Sequence, residues 1–317
     1  MSHLDLSLLI LLGAFGGGAF GAAVGALPAF IFTGFTVIAG VALGLAGGDY
    51  DFLGSVAFGP VFGPHIAFAG GVAGAAFAKR QGLVEDAKDI ASPLAGLANP
   101  SVLLVGGLFG IIGHVGQQLI AHPLAGLEWT DSIALMVAVN NIIARFAFGK
   151  AGLFGKLTEE AAQRGRFSPG GDNVWVPFQQ PLLQAGTIGL GAGLISSWML
   201  LTAWDLDPDL AGAAVVAGFG ISAASLIFLE FGKTGPVTHH MTLPGAVAAW
   251  QMVEAGVAIE GAMIVGAIFG IIGALLGEFF ARLFLIHGDT FVDPPANAIW
   301  AGTTLAIGLG WVVGQVM

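Results

Sequence analysis

Ten apolar stretches, each near the twenty residues that cross a bilayer as helix, take up most of this chain. They run at about 6–26, 29–47, 53–78, 100–122, 131–149, 182–203, 209–229, 234–254, 259–286 and 294–316. Only 20 acidic and 10 basic side chains serve 317 residues, so 9% are charged, against the roughly 25% of a soluble domain. A water-facing surface cannot be clothed with so few charges. That excludes an ordinary soluble enzyme, a nucleic-acid binder and a disordered chain. The expectation is an all-α polytopic membrane protein whose principal partner is the lipid bilayer. With no cysteine, disulfides, thiolate metal sites and iron–sulfur clusters are also excluded.

One long polar segment, 150–181, separates the spans into two groups of five. It carries Lys150, Lys156, Glu159, Glu160, Arg164 and Arg166, then the turn sequence Ser168-Pro-Gly-Gly-Asp172, and reads as a linker outside lipid. The domains expected are a first repeat over 1–149, this linker, and a second repeat over 182–317. The first span lacks the basic flank of a cleavable signal and runs on into further apolar sequence. All 10 Lys and Arg residues fall in the linker, in connections 3–4, 7–8 and 9–10, or at the span ends that feed them. The acidic residues divide evenly between the two sides. By the positive-inside tendency the basic side is cytoplasmic, which puts both termini outside a plasma-membrane protein.

The two groups share sequence. Leu104–Gly113 of span 4 matches Ile264–Gly273 of span 9 at seven of ten positions. Gly59-Pro-Val-Phe-Gly-Pro-His65 in span 3 parallels Gly235-Pro-Val-Thr-His-His240 in span 8, and a weaker echo pairs Val37–Gly40 with Val215–Gly218. An odd number of spans per group sends the second copy into the membrane from the opposite face. The fold expected is therefore ten transmembrane helices in two inverted five-helix repeats. The plan resembles inverted-repeat carriers and channels in architecture alone, which transfers no functional residue.

Spans 3 and 8 carry the helix breakers Gly59, Pro60, Gly63 and Pro64, and Gly235 and Pro236. Each leaves a half-helix that starts below one surface, with amides that lipid cannot satisfy. His65 and His240 fall at matched positions just inside those half-helices, beside His239, Thr238 and Thr242. Asn140 and Asn141 in span 5 correspond to Thr303 and Thr304 in span 10. Polar groups are costly inside lipid unless they face protein or a wet cavity. These nine residues are the expected substrate-binding set. His114 has Ala274 as its counterpart and is expected to pack locally.

Glycines four apart, as at Gly17, Gly21 and Gly25 or Gly266 and Gly270, mark faces for close helix contact. Such faces suit contacts between copies as well as within one. No nucleotide motif, catalytic cluster or cofactor signature occurs, and no acidic residue falls near the centre of a span by these boundaries. The reading is a channel or secondary transporter, not an enzyme, that moves a small solute between spans 3 and 8. A small anion is expected first, drawn by helix starts and by imidazole and hydroxyl donors. The alternative is a membrane redox or metal-binding protein that uses the intramembrane histidines for haem or a divalent metal.

Overall fold

A computed structural model describes residues 4–122, 129–171 and 173–317 of the chain. Asp172, expected to close the linker turn, lies outside them. The described residues are mostly helical and form no sheet; a lone antiparallel bridge joins Gly170 and Asn173.

Among the described residues six helices are long and apolar enough to cross a membrane. They are Ala26–Leu45, Pro100–Ala121, Leu182–Leu206, Pro208–Glu230, Ile259–Leu285 and Pro294–Gly314. We label the first three of these α2, α4 and α7. The fourth divides into a 3-10 turn at Pro208–Leu210 followed by α8 (Ala211–Ala214), α9 (Ala217–Ser225) and α10 (Ile227–Glu230). The fifth comprises α12 (Ile259–Phe280) and a π-helical turn at Ala281–Leu285, and the sixth is α13. Two shorter apolar helices of 17 residues are α1 (Leu8–Val24) and α5 (Ser132–Phe148). The linker contributes α6 (Glu159–Arg164), capped by the Thr158 hydroxyl.

Both breaker sequences interrupt their spans. In the first half a π-helical turn at Leu53–Ala57 gives way to irregular turns, and α3 begins only at Ala67 and runs to Arg80. The Gly63 carbonyl accepts the amides of both Ile66 and Ala67, and Pro64 accepts that of Ala69, so the ordinary helical ladder starts late. His65 therefore lies before its helix rather than just inside it, contrary to the sequence reading. In the second half, residues 231–238 are non-helical and α11 spans His239–Glu254.

Small residues decide how these pieces pack. Eleven of the fourteen residues of α3 are buried, and the helix is mostly Ala and Gly. Helices α1, α3 and α4 meet at Gly18, Gly70, Gly106 and Gly110, where an added methyl would run into the facing backbone. Helices α7, α11 and α12 meet in the same manner at Gly193, Gly245, Gly266 and Gly270. Between the halves, α2 packs on α9 and α5 on α13. The largest apolar cluster draws Phe30, Phe68 and Val137 from one half and Phe219, Leu243 and Ile299 from the other. Apolar side chains such as Leu9, Leu104, Leu183, Ile195 and Trp311 cover the outside.

Arg145 is only 1% exposed. Its guanidinium donates to the Thr290 hydroxyl (3.0 Å), to the Thr290 carbonyl, and to the carbonyls of Leu153 (2.8 Å) and Phe284 (2.5 Å). These bonds tie the end of α5 to the chain that leads into α13. The linker is less detached than its composition suggests. Gln179 is fully buried, and its amide group exchanges two hydrogen bonds with the Val237 main chain, at 3.1 and 2.9 Å. Trp175 and Val176 come inward with it.

Candidate functional site

The offset between α5 and α13 builds the site. Asp131 caps α5 by accepting the Ala134 amide (2.8 Å), and Asp293 caps α13 by accepting the Ala296 amide (2.7 Å). The helices run antiparallel and overlap by about half. Asn141, the tenth residue of α5, accepts the Asp293 main-chain amide at 3.1 Å. Thr304, the eleventh residue of α13, donates its hydroxyl to that of Thr130 at 2.8 Å. A shift of 163 positions carries Asn141 onto Thr304 and Thr130 onto Asp293, so the two contacts join equivalently numbered positions. Each helix thus starts against the middle of the other. Two capping carboxylates are left at opposite ends of an overlap of ten residues or so, about 15 Å apart along the axis.

A cavity of about 680 Å³ opens beside this pair, between the two halves. Helices α2, α3 and α5 wall one side, α9, α11 and α13 the other, and linker residues Trp175–Phe178 close over it. The wall is chiefly aromatic and aliphatic, with Phe30, Phe58, Phe68, Phe219, Phe291 and Trp250 prominent. Its polar members among the described residues are Thr130, Asp131, His239, Gln251, Asp293 and Thr303, with no Lys or Arg. His239 is 5% exposed and sits between Phe30 and Phe219, with ring centroids 4.7 and 5.9 Å away. Its Nδ1 has no hydrogen-bond partner among the described residues.

The expected binding set divides. His239 and Thr303 line the cavity, as does the helix breaker Pro64. His65 and His240 do not: they are 2% and 0% exposed and lie behind the wall. What these two present to the matched half-helix contacts is a carbonyl. The His65 carbonyl packs on Gly113 and accepts the Asn140 amide at 3.3 Å. The His240 carbonyl packs on Gly273, and Pro244 has no N–H to offer it. The His240 ring meets Trp175 at 5.6 Å.

Thr238 starts α11 through its carbonyl, which takes the amides of Met241 and Thr242. The Thr242 hydroxyl donates to the His239 carbonyl (3.3 Å), and the Thr242 carbonyl accepts the Ser196 hydroxyl (2.5 Å). Asn140 also donates to Phe109, while Asn141 and Thr304 join α5 to α13 as described. Gly59, Pro60 and Gly63 shape the turn before α3; Gly235 and Pro236 lie in the non-helical approach to α11. His114 meets the Asp5 carbonyl at 2.8 Å, a local contact.

Sequence reasoning missed Asp131 and Asp293. An Asp followed three residues later by the first core-facing alanine in both halves was the available signal. The helix starts had been expected to leave amides for an anion. Instead, carbonyls of the preceding turns occupy several of them, and these two carboxylates cap the other pair.

The model of one protein family, DUF7973, a family of unknown function, matches residues 1–170 and residues 154–317. The chain belongs to the DUF7973 family. The two matched segments of this DUF7973 protein meet within the linker, where the internal sequence repeat also divides. No curated protein and no solved structure matches it.

Proposed function

We propose that this DUF7973 protein is a multi-pass plasma-membrane transport protein. In this reading ten spans form two inverted five-helix repeats, with both termini outside, and a small solute passes through the cavity between them. The observation that carries the reading is the cavity itself. It lies between two sets of interrupted helices, one set from each half, and its volume falls in the range of small-molecule sites, roughly 300–1,000 Å³. The reciprocal contacts of Asn141 with Asp293 and of Thr304 with Thr130 support a two-fold relation between the halves. So do the matched glycine contacts of α1, α3 and α4 with those of α7, α11 and α12. Such a relation suits alternating access, because each half can rock over the other around one central site.

The solute class shifts from the small anion first expected. Several amides at the half-helix starts already have carbonyl partners, and two carboxylates line the cavity with no Lys or Arg among the described lining. An organic solute with a substantial apolar body fits this wall better.

The test uses the chain's freedom from cysteine. Val247, on the cavity wall, is replaced by cysteine, and the protein is reconstituted in liposomes loaded with labelled neutral, cationic and anionic organic solutes. At least one solute should leave faster than from empty liposomes, and a bulky maleimide at position 247 should stop it. If no solute outruns the protein-free control, the transport reading is wrong.

A further inference from the structure

We propose that the cavity binds an amphiphilic organic cation, with Asp131 and Asp293 as its counter-charges; this rests on taking the cavity as the solute site. Three features of the wall point the same way. First, its charged members among the described residues are two carboxylates, one from each half, and neither has a basic neighbour in the lining. Asp293 engages the Ala296 amide through one oxygen at 2.7 Å and has a second oxygen to present, while Asp131 accepts the amides of Ala134, at 2.8 Å, and Ile133.

Second, the surface between them is aromatic. Phe30, Phe68, Phe219, Phe291 and Trp250 supply ring faces and edges, and a desolvated cation is attracted to the negative face of such a ring. Third, His239 lines the cavity, and its buried Nδ1 is unpartnered among the described residues. A buried nitrogen without a partner costs free energy that a bound polar group would recover.

Chemistry narrows the choice further. An anion would enter against two carboxylates with nothing to offset them. A bare metal ion needs several oxygen ligands together, whereas here the carboxylates stand about 15 Å apart along the helix pair. A cation whose charge is spread over an apolar body meets none of these penalties. It takes long-range attraction from both ends and dispersion contact from the wall between.

The probe is tetraphenylphosphonium, with tetraphenylborate as a comparator of nearly the same shape and opposite charge. Binding to the purified full-length protein in detergent is measured by equilibrium dialysis at mildly alkaline pH. Tetraphenylphosphonium should bind saturably and more tightly than tetraphenylborate. Asp131→Asn with Asp293→Asn should weaken it by about tenfold or more, by loss of both counter-charges. Asparagine caps a helix as well as aspartate does, so the double variant should keep the parent's melting temperature. If it does not fold, the single variants make the same measurement, and the two-ion comparison needs no variant at all.

Equal binding of the two ions to the parent, or unchanged binding by a folded double variant, overturns the proposal. Charge-dependent binding without flux of any solute keeps the cation site and removes transport. Flux of neutral solutes without charge-dependent binding does the reverse.

Discussion

At the scale of single residues, the protein uses glycine where two backbones must touch. Gly113 and Gly273 are the sharpest cases, because each faces the carbonyl of a matched histidine, His65 or His240. Alanine at either position gains up to about 1 kcal/mol of helix propensity. Against that, an extra methyl in a filled contact costs about 1–3 kcal/mol, and here it would meet backbone that cannot swing aside. Destabilisation should win. Gly113→Ala and Gly273→Ala should each lower the melting temperature in detergent, whereas Gly16→Ala, exposed on α1 with open space around it, should leave it unchanged or raise it slightly. Equal effects at all three positions would show that these contacts are not tight. The histidine pairing was legible in the sequence, since the flanking Gly-Pro residues repeat. Which atom of the histidine mattered was not. A repeated motif marks an equivalent place, and the turn hydrogen bonds around Gly63 and Pro64 then decide whether side chain or carbonyl faces the neighbour.

At the scale of elements, the informative arrangement is the half-overlap of α5 and α13. Hydropathy placed both helices within a residue or two, because caps and apolar runs fix the ends locally. It gave no measure of their relative depth, which depends on a tertiary contact between Asn141 and the Asp293 amide. For that reason the capping aspartates looked like span ends at a surface, although Asp293 is 9% exposed and walls the cavity. The offset predicts a cross-link. The hydroxyls of Thr130 and Thr304 are 2.8 Å apart, so cysteines there stand in position to form a disulfide. Thr130→Cys with Thr304→Cys should oxidise readily in the membrane, and trypsin cleavage in the linker should then leave the halves joined on a non-reducing gel. A pair placed ten residues out of register, about 15 Å along the helix, at Thr130 and Gly314, should stay separate. Free migration of the halves in the first variant would mean that α5 and α13 do not lie at this offset.

At the scale of the whole molecule, the distribution of charge and the packing make a joint claim. The basic residues Lys79, Arg80, Lys150, Lys156, Arg164 and Arg166 fall in connections that the sequence reading assigns to one side, on the ground that loop charge responds to insertion rather than to packing. The structure brings parts of those connections together. The Arg80 guanidinium donates to the Ala147 carbonyl at 3.0 Å, the Lys156 amide to the His287 carbonyl at 2.9 Å, and Arg282 reaches the Gln180 carbonyl at 3.1 Å. Three connections that the charge count assigned to one face thus touch one another. What the sequence concealed was the inward turn of residues 175–179. Their apolar members look like ordinary linker until Gln179 is seen holding Val237. An orientation follows that single cysteines can read. Asp49, Ser92 and Ser168 are exposed in three different connections, and Asp209 is exposed at the start of span 7, beside a fourth. On intact cells a membrane-impermeant maleimide should label Asp49→Cys and Asp209→Cys, and should reach Ser92→Cys and Ser168→Cys only after permeabilisation. Labelling of all four, or of one residue from each pair, would break the antiparallel arrangement of the halves. With it would go the physical basis for a solute path whose two ends are built from equivalent parts.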